Sequence, residues 1–309
     1  MSQPHHLVVL VGPTASGKTA VAIEVARRLD CGIEIVSADS RQVRREMHIG
    51  TAAPSEAETA AVPHHAIASV APDAPYAVVD WLAEARAALD DVWARGGVPL
   101  LVGGTGQYVW ALLDGWSMPA VEPDLALRAE FEAFAGERGA EALHARLGAL
   151  DPASATRIDA RNIRRVVRAL EVVTLTGVPV PVLEPRDPGF TWRGVGLQWE
   201  RGPLHARADA RVVAMFADGL VDEARSLAER YGRDFPALSS IGYREALGVL
   251  DGVLSEPEAV RQAQTATHRL IRMQAAWFRL DDPRIAWVPG DDIEAAVAAV
   301  ERAARPPVP

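Results

Sequence analysis

The run Gly12-Pro13-Thr14-Ala15-Ser16-Gly17-Lys18-Thr19 sets glycines, a lysine and a hydroxyl at the spacing G-x-x-x-x-G-K-[ST]. Glycines let the backbone turn its N–H groups onto an anion, and a helix starting there adds partial positive charge. Lys18 can then reach a terminal phosphate as a point charge, and Thr19 can ligate a magnesium ion. The chain has 32 lysines and arginines, and Lys18 is its only lysine. A glycine-rich turn that binds nothing is the competing reading, and the solitary lysine at the motif position argues against it. ATP and a diphosphate ester offer the same oxygens, so the motif admits either. Two further loops could complete a site. Ser37-Ala38-Asp39-Ser40 offers a carboxylate able to take a proton as a general base, or an aspartate that merely caps its own turn. Gly103-Gly104-Thr105-Gly106 offers a hydroxyl, or an ordinary turn.

These loops need elements to hold them. Short apolar runs at residues 6–11, 33–36 and 98–102 read as buried parallel strands, each ending at one of the three loops. Helical periodicity follows at 18–29 and 77–95, the latter stopped by Gly96-Gly97. Strands alternating with helices predict an α/β fold with a doubly wound parallel sheet, whose ligands lie beyond the carboxyl ends of its strands. From residue 114 the pattern turns helical, at 125–138, 140–147 and 162–176, with Asp151-Pro152 as cap and first position of a short helix. We therefore expect a P-loop core over 1–113 and 193–309, carrying an all-helical insertion at 114–192. Pro119, Pro123 and the proline-rich segment 179–188 are its expected hinges. Another strand is expected at 191–197, then helices at 203–218, 221–231, after Tyr243 and at 258–279. The tail 305–309 is expected to be disordered.

Net charge is −9, an argument against wholesale nucleic-acid binding. Charge is nevertheless local. Arg161, Arg164, Arg165 and Arg168 fall at i, i+3, i+4 and i+7, a basic stripe suited to a phosphate backbone if all four share a helix. A solvated helix face is the alternative, though such a face would usually mix signs. The single cysteine, Cys31, rules out an internal disulfide and a cysteine zinc cluster. No apolar run has the length of a membrane span, and the opening MSQPHHLVVLVG lacks signal-peptide features. A cytoplasmic monomer without membrane contact is expected.

GPTASGKT, followed by SADSRQV, HIGTA, PHH and VGGTG, resembles the tRNA dimethylallyltransferase family. So do RRVVRALEV at 164–172, the stretch 196–220 and SIGYREAL at 240–247. The resemblance implies a P-loop NTPase-like core whose loop holds the diphosphate of dimethylallyl diphosphate, with Mg2+ as cofactor. The prenyl acceptor would be N6 of the adenosine 3′ of the anticodon, in tRNAs that read codons beginning with U. Asp39 matches the family's catalytic aspartate, and Thr105 its threonine near the reacting amine. Arg201, Arg207 and above all Arg211 match positions that approach the diphosphate, although each could be ordinary surface charge. Ser40, Arg41, Gln42, Arg128, Arg164, Arg165 and Arg168 fall in blocks that the resemblance assigns to tRNA, together with Asp39 and Thr105. Ile241, Gly242, Tyr243 and Arg244 resemble a segment that holds the anticodon loop, where Tyr243 could stack on a base or sit in the core. Core and insertion would then clamp the loop, with the target base drawn out of its stack.

Five positions depart from the family pattern. Arg44 stands for a common tyrosine, His48 for an aspartate, Ala53 for a lysine, and His268 and Met273 for arginines. Retained chemistry with an altered grip on tRNA is the expectation. Three rival functions remain at this stage: a small-molecule kinase, a prenyltransferase for free adenine nucleotides, and a tRNA-binding relative without catalysis. Gly103-Gly104 in place of a strand-end aspartate counts against the first, and the basic insertion against the second. Intact Lys18 and Asp39 count against the third.

Overall fold

A computed structural model describes residues 5–29, 31–116 and 121–305. Pro119 and the tail beyond residue 305 lie outside them. The chain divides into two compact units, Met1–Gly115 with Asp187–Pro309, and Trp116–Arg186.

The first unit opens with β1 (His6–Val11), α1 (Lys18–Arg28), β2 (Ile33–Ala38), α2 (Glu56–Ala61), β3 (His64–His65), α3 (Val78–Ala94), β4 (Val98–Gly103) and α4 (Gly106–Leu113). The second unit contains α5 (Leu125–Arg138), α6 (Ala140–Leu150), α7 (Pro152–Arg157) and α8 (Ile163–Thr176). The first then resumes with β5 (Thr191–Gln198), α9 (Arg201–Ala217), α10 (Leu220–Tyr231), α11 (Tyr243–Leu250), α12 (Glu256–Trp277), β6 (Ile285–Pro289) and α13 (Ile293–Ala304).

Among the described residues the sheet has six strands in the order β3-β2-β4-β1-β5-β6, every pair parallel. β1 lies between β4 and β5, so the chain runs to one side of β1 through β2, β3 and β4, and to the other through β5 and β6. The loop after β1 thus opens where the strand order reverses, the place where such sheets bind ligands. β1 and β2 are buried almost throughout because helices cover both faces of the sheet. Their side chains pack with α1 and α13 in one apolar core around Val8, Leu10, Ile35, Leu100 and Val300. The expected boundary at 192 falls inside β5. Thr191 and Trp192 pair with His6 and Leu7, and this pairing assigns them to the sheet.

The helical unit has its own core, in which α8 presents Val166, Val167, Ala169 and Leu170 to Phe131, Leu143 and Leu147. Asp151 caps α7 as expected, its Oδ1 accepting from the Ser154 amide at 2.9 Å, with Pro152 in the first turn. The buried carboxylate of Glu171 ties the unit together. It accepts from the Asp124 amide at 2.7 Å, Arg128 Nε at 2.8 Å and Arg168 Nη1 at 2.5 Å. Burial alone would raise the pKa of Glu171, but these donors outweigh it and hold the carboxyl below its ordinary value.

Candidate active site

Residues 12–17 wrap the end of β1 and hand over to α1 at Lys18. Gly17, the cap of α1, sits at φ 95°, a left-handed conformation that suits glycine. The Lys18 ammonium spans the loop, donating to Gly12 O at 2.9 Å and Pro13 O at 2.8 Å. Part of the side chain stays accessible, yet protein crowds the ammonium. Burial pushes its pKa down to about 8, against the pull of Asp39 and with a further push from Arg211. The Ser16 hydroxyl is buried and has no hydrogen-bond partner among the described residues, an orphan inside the cradle. Thr19 sits partly exposed in the first turn of α1. This donor set of backbone amides, an ammonium and two hydroxyls fits an anion with multiple oxygens.

Asp39 follows β2. Its Oδ1 accepts from the Arg41 amide at 2.8 Å, so the turn-capping reading describes one oxygen of the carboxylate. The same carboxylate acts on Lys18 and Arg211, opposing the fall in pKa of both. Arg211, on α9, has its pKa lowered by burial first and by neighbouring Arg207 second. Thr105, at the start of α4, accepts from the Ser40 amide through Oγ1 at 3.1 Å, and its own amide donates to Ala38 O at 3.1 Å. The loops after β2 and β4 are laced together in this way. Gly103 permits the approach, since a Cβ there would stand 2.3 Å from Ala38 O. At Gly104 a Cβ would come within 3.0 Å of Gly12 O, which brings the P-loop into the same cluster. The loops that carry Lys18, Asp39 and Thr105 therefore lie together, Asp39 acts on Arg211 as well as on Lys18, and Thr19 follows Lys18 in the first turn of α1. Arg201 is exposed at the start of α9, and Arg207 turns its guanidinium to the backbone of the P-loop, donating to Ala15 O at 3.0 Å.

The expected tRNA residues divide. Ser40 and exposed Arg41 follow Asp39 in the loop after β2. Gln42 turns inward instead, its amide donating to Ala52 O at 3.0 Å and accepting from Ser37 Oγ at 3.2 Å. Tyr243 takes the alternative role given above. It is 0% exposed, packed against Gly50, with its hydroxyl donating to Glu223 Oε1 at 2.5 Å. A ring so enclosed has no face for a base. Ile241 packs against the same apolar cluster and Gly242 is buried, leaving Arg244 as the exposed side chain of that segment. Glu223, which no motif pointed to, also accepts from the amides of His48, Ile49 and Gly50, and so fixes the HIGTA loop to α10.

On the helical unit, Arg164, Arg165 and Arg168 share α8, but Arg161 precedes it. Asn162 caps the helix, and Arg161 folds back on Asp159 with Nη2 at 2.6 Å from Oδ2. The Asx turn at Asp159 thus removes one member from the expected stripe. Arg128 and Arg168 are committed to Glu171 and remain about one-third exposed.

Of the departures, Arg44 donates to Ala71 O at 3.0 Å, and burial lowers its pKa. His268 Nε2 lies 2.8 Å from Asp209 Oδ1, with its ring stacked on His205 at 3.8 Å. Met273 is exposed on α12. Nothing in the structure explains Ala53.

The IPP transferase family model matches residues 42–281, and an isopentenyl transferase model matches residues 5–64. A tRNA dimethylallyltransferase of Chloroflexus aurantiacus is 47% identical over 285 residues, covering 92% of this chain and 96% of that protein. Another, from Roseiflexus sp. (strain RS-1), is 45% identical and covers 96% and 97%. The full-length tRNA isopentenylpyrophosphate transferase of Bacillus halodurans superposes with a TM-score of 0.70 at 36% identity, over 96% of this chain and 95% of that one. With the P-loop, Asp39 and Thr105 gathered at the carboxyl ends of β1, β2 and β4, and with relatives this similar over nearly the whole length, the chain belongs to the tRNA dimethylallyltransferase (IPP transferase) family.

Proposed function

We propose that this enzyme transfers a dimethylallyl group from dimethylallyl diphosphate to N6 of the adenosine 3′ of the anticodon, in tRNAs that read U-starting codons. One observation carries the reading: the Asp39 carboxylate is near enough to Lys18 and Arg211 to oppose the fall in pKa of both, while Thr105 laces its loop to that of β2. Donor cations and acceptor groups therefore share one crevice. The exocyclic amine of adenine is a weak nucleophile because its lone pair is delocalised into the ring. Asp39 orients the amine and accepts its proton as the N6–C1 bond forms and the allylic C–O bond breaks. The pyrophosphate leaves with both bonding electrons, and Lys18, Arg211 and the loop amides stabilise its growing charge. Thr19 and the diphosphate oxygens would hold Mg2+, which supplies further charge neutralisation when bound.

Arg164 and Arg165 support a tRNA partner. They occupy the first turn of α8, where a cation opposes the helix dipole. Among the described residues neither has an ion-pair partner. Such residues cost stability unless an external anion meets them.

The test is mass spectrometry of tRNA from cells lacking and regaining the gene. A prenylated adenosine 3′ of the anticodon should disappear and return. Unchanged tRNA with prenylated free nucleotides in its place would transfer the activity to a mononucleotide acceptor.

A further inference from the structure

Three consecutive residues of the P-loop are held from outside by side chains of three other elements. The Thr14 amide donates to Gln274 Oε1 at 2.8 Å, from α12. Ala15 O accepts from Arg207 Nε at 3.0 Å, from α9. Ser16 O accepts from Trp199 Nε1 at 3.0 Å, from the segment after β5. Arg207 also lies over the Trp199 ring, 4.8 Å from its centroid, which joins two of the three braces.

Packing and backbone geometry agree with this pattern. Ala15 adopts φ 64°, a left-handed conformation that an L-residue takes at a cost. Its methyl is buried against Leu204 and Ala208 of α9 and Ile271 of α12, with Trp199 alongside. Space has been cleared for two of the braces. A Cβ on Gly290 would stand 1.8 Å from Trp199 Nε1, and one on Gly104 would stand 2.5 Å from Gln274 Nε2. Donation to a carbonyl also polarises the peptide that carries it, making the next amide a stronger donor. The Ser16 carbonyl shares its peptide with the Gly17 amide, and the Ala15 carbonyl shares its peptide with the Ser16 amide.

We propose that Trp199 and Gln274, with Arg207 lying over the Trp199 ring, are positioning residues that preset the P-loop for the diphosphate. They act on its peptide groups rather than on the substrate. Gln274 has a second consequence, because its amide also abuts Gly104, beside Thr105. One side chain thereby sets the spacing of the donor loop against the acceptor loop. The proposal rests on the P-loop being the diphosphate site.

The experiment compares the full-length wild type with Trp199→Phe, Gln274→Met and Lys18→Ala. Phenylalanine keeps an aromatic ring under Arg207 and loses the N–H. Methionine keeps the length of glutamine and loses the acceptor. Inorganic pyrophosphate binding is measured by calorimetry, and steady-state constants are measured for dimethylallyl diphosphate and tRNA. Each brace variant should weaken pyrophosphate about 3- to 10-fold, the net worth of one hydrogen bond. The diphosphate KM should rise equally, with kcat, tRNA KM and Tm close to wild type. Unchanged pyrophosphate affinity in both variants overturns the brace. So does a joint rise in both KM values with a fall in Tm, which marks general packing damage. Lys18→Ala separates the two readings. If it too leaves pyrophosphate binding intact, the P-loop site itself is wrong; if it alone weakens binding, only the brace fails.

Discussion

At the scale of single residues, Asp39 holds a turn and, in the proposed mechanism, also acts as the base. Asparagine can still accept from the Arg41 amide and preserve the turn, but it cannot take a proton. Asp39→Asn should lower kcat by about 10²–10⁴, with both KM values and Tm nearly unchanged. A fully active, stable variant would remove Asp39 from the mechanism. Lys18 yields a pH prediction. Its pKa falls from the ordinary 10.5 to about 8 in the folded protein. Between those values the unfolded chain holds more protons, so the contribution of Lys18 to stability rises with pH across that window. Below pH 8 both states are protonated and the cost of burying the ammonium is present in full. The stability of Lys18→Met relative to wild type should therefore decline from pH 8 to 10.5, while wild-type affinity for pyrophosphate weakens over the same interval. A flat affinity from pH 7 to 9.5 would contradict the assignment. The P-loop was legible because its meaning is local, eight adjacent residues whose spacing is the chemistry. Trp199 and Gln274 were not, since their partners lie 183 and 260 residues away.

At the scale of elements, α8 divides its arginines between structure and surface. Arg168 supports Glu171, whereas Arg164 and Arg165 stay exposed. Changing Arg164 and Arg165 to glutamate should raise the tRNA KM and leave the diphosphate KM alone. The salt dependence of tRNA binding should flatten by about 0.7–0.9 in slope for each phosphate no longer neutralised. Equal tRNA affinity at two salt concentrations would return the pair to ordinary surface. The i, i+3, i+4, i+7 spacing predicted four arginines on this helix, and Asn162 stops it one residue short of Arg161. Other elements escaped notice for physical reasons. α4 is buried at every position but Gln107, so it has no broad polar face whose period could be read. β3 has two residues, below any period, and β6 ends in proline on the edge of the sheet.

At the scale of the whole molecule, each unit has a separate apolar core. Of the eight tryptophans, Trp116 belongs to the helical unit and the others to the α/β unit. Urea unfolding followed by tryptophan fluorescence should therefore fail to superimpose on unfolding followed by far-ultraviolet circular dichroism, which reports helices of both units. Coincident curves would mean that the units melt as one.

The position of β1 has a consequence during synthesis. β1 is made first, yet it ends in the middle of the sheet, and its partners β4 and β5 are translated on either side of the helical unit. Until β5 leaves the ribosome, one edge of an almost wholly apolar strand has no neighbour. At ordinary elongation rates that interval lasts on the order of 5–20 s. The nascent chain is then most open to chaperone capture, or to pairing with the same strand on a neighbouring ribosome of the polysome.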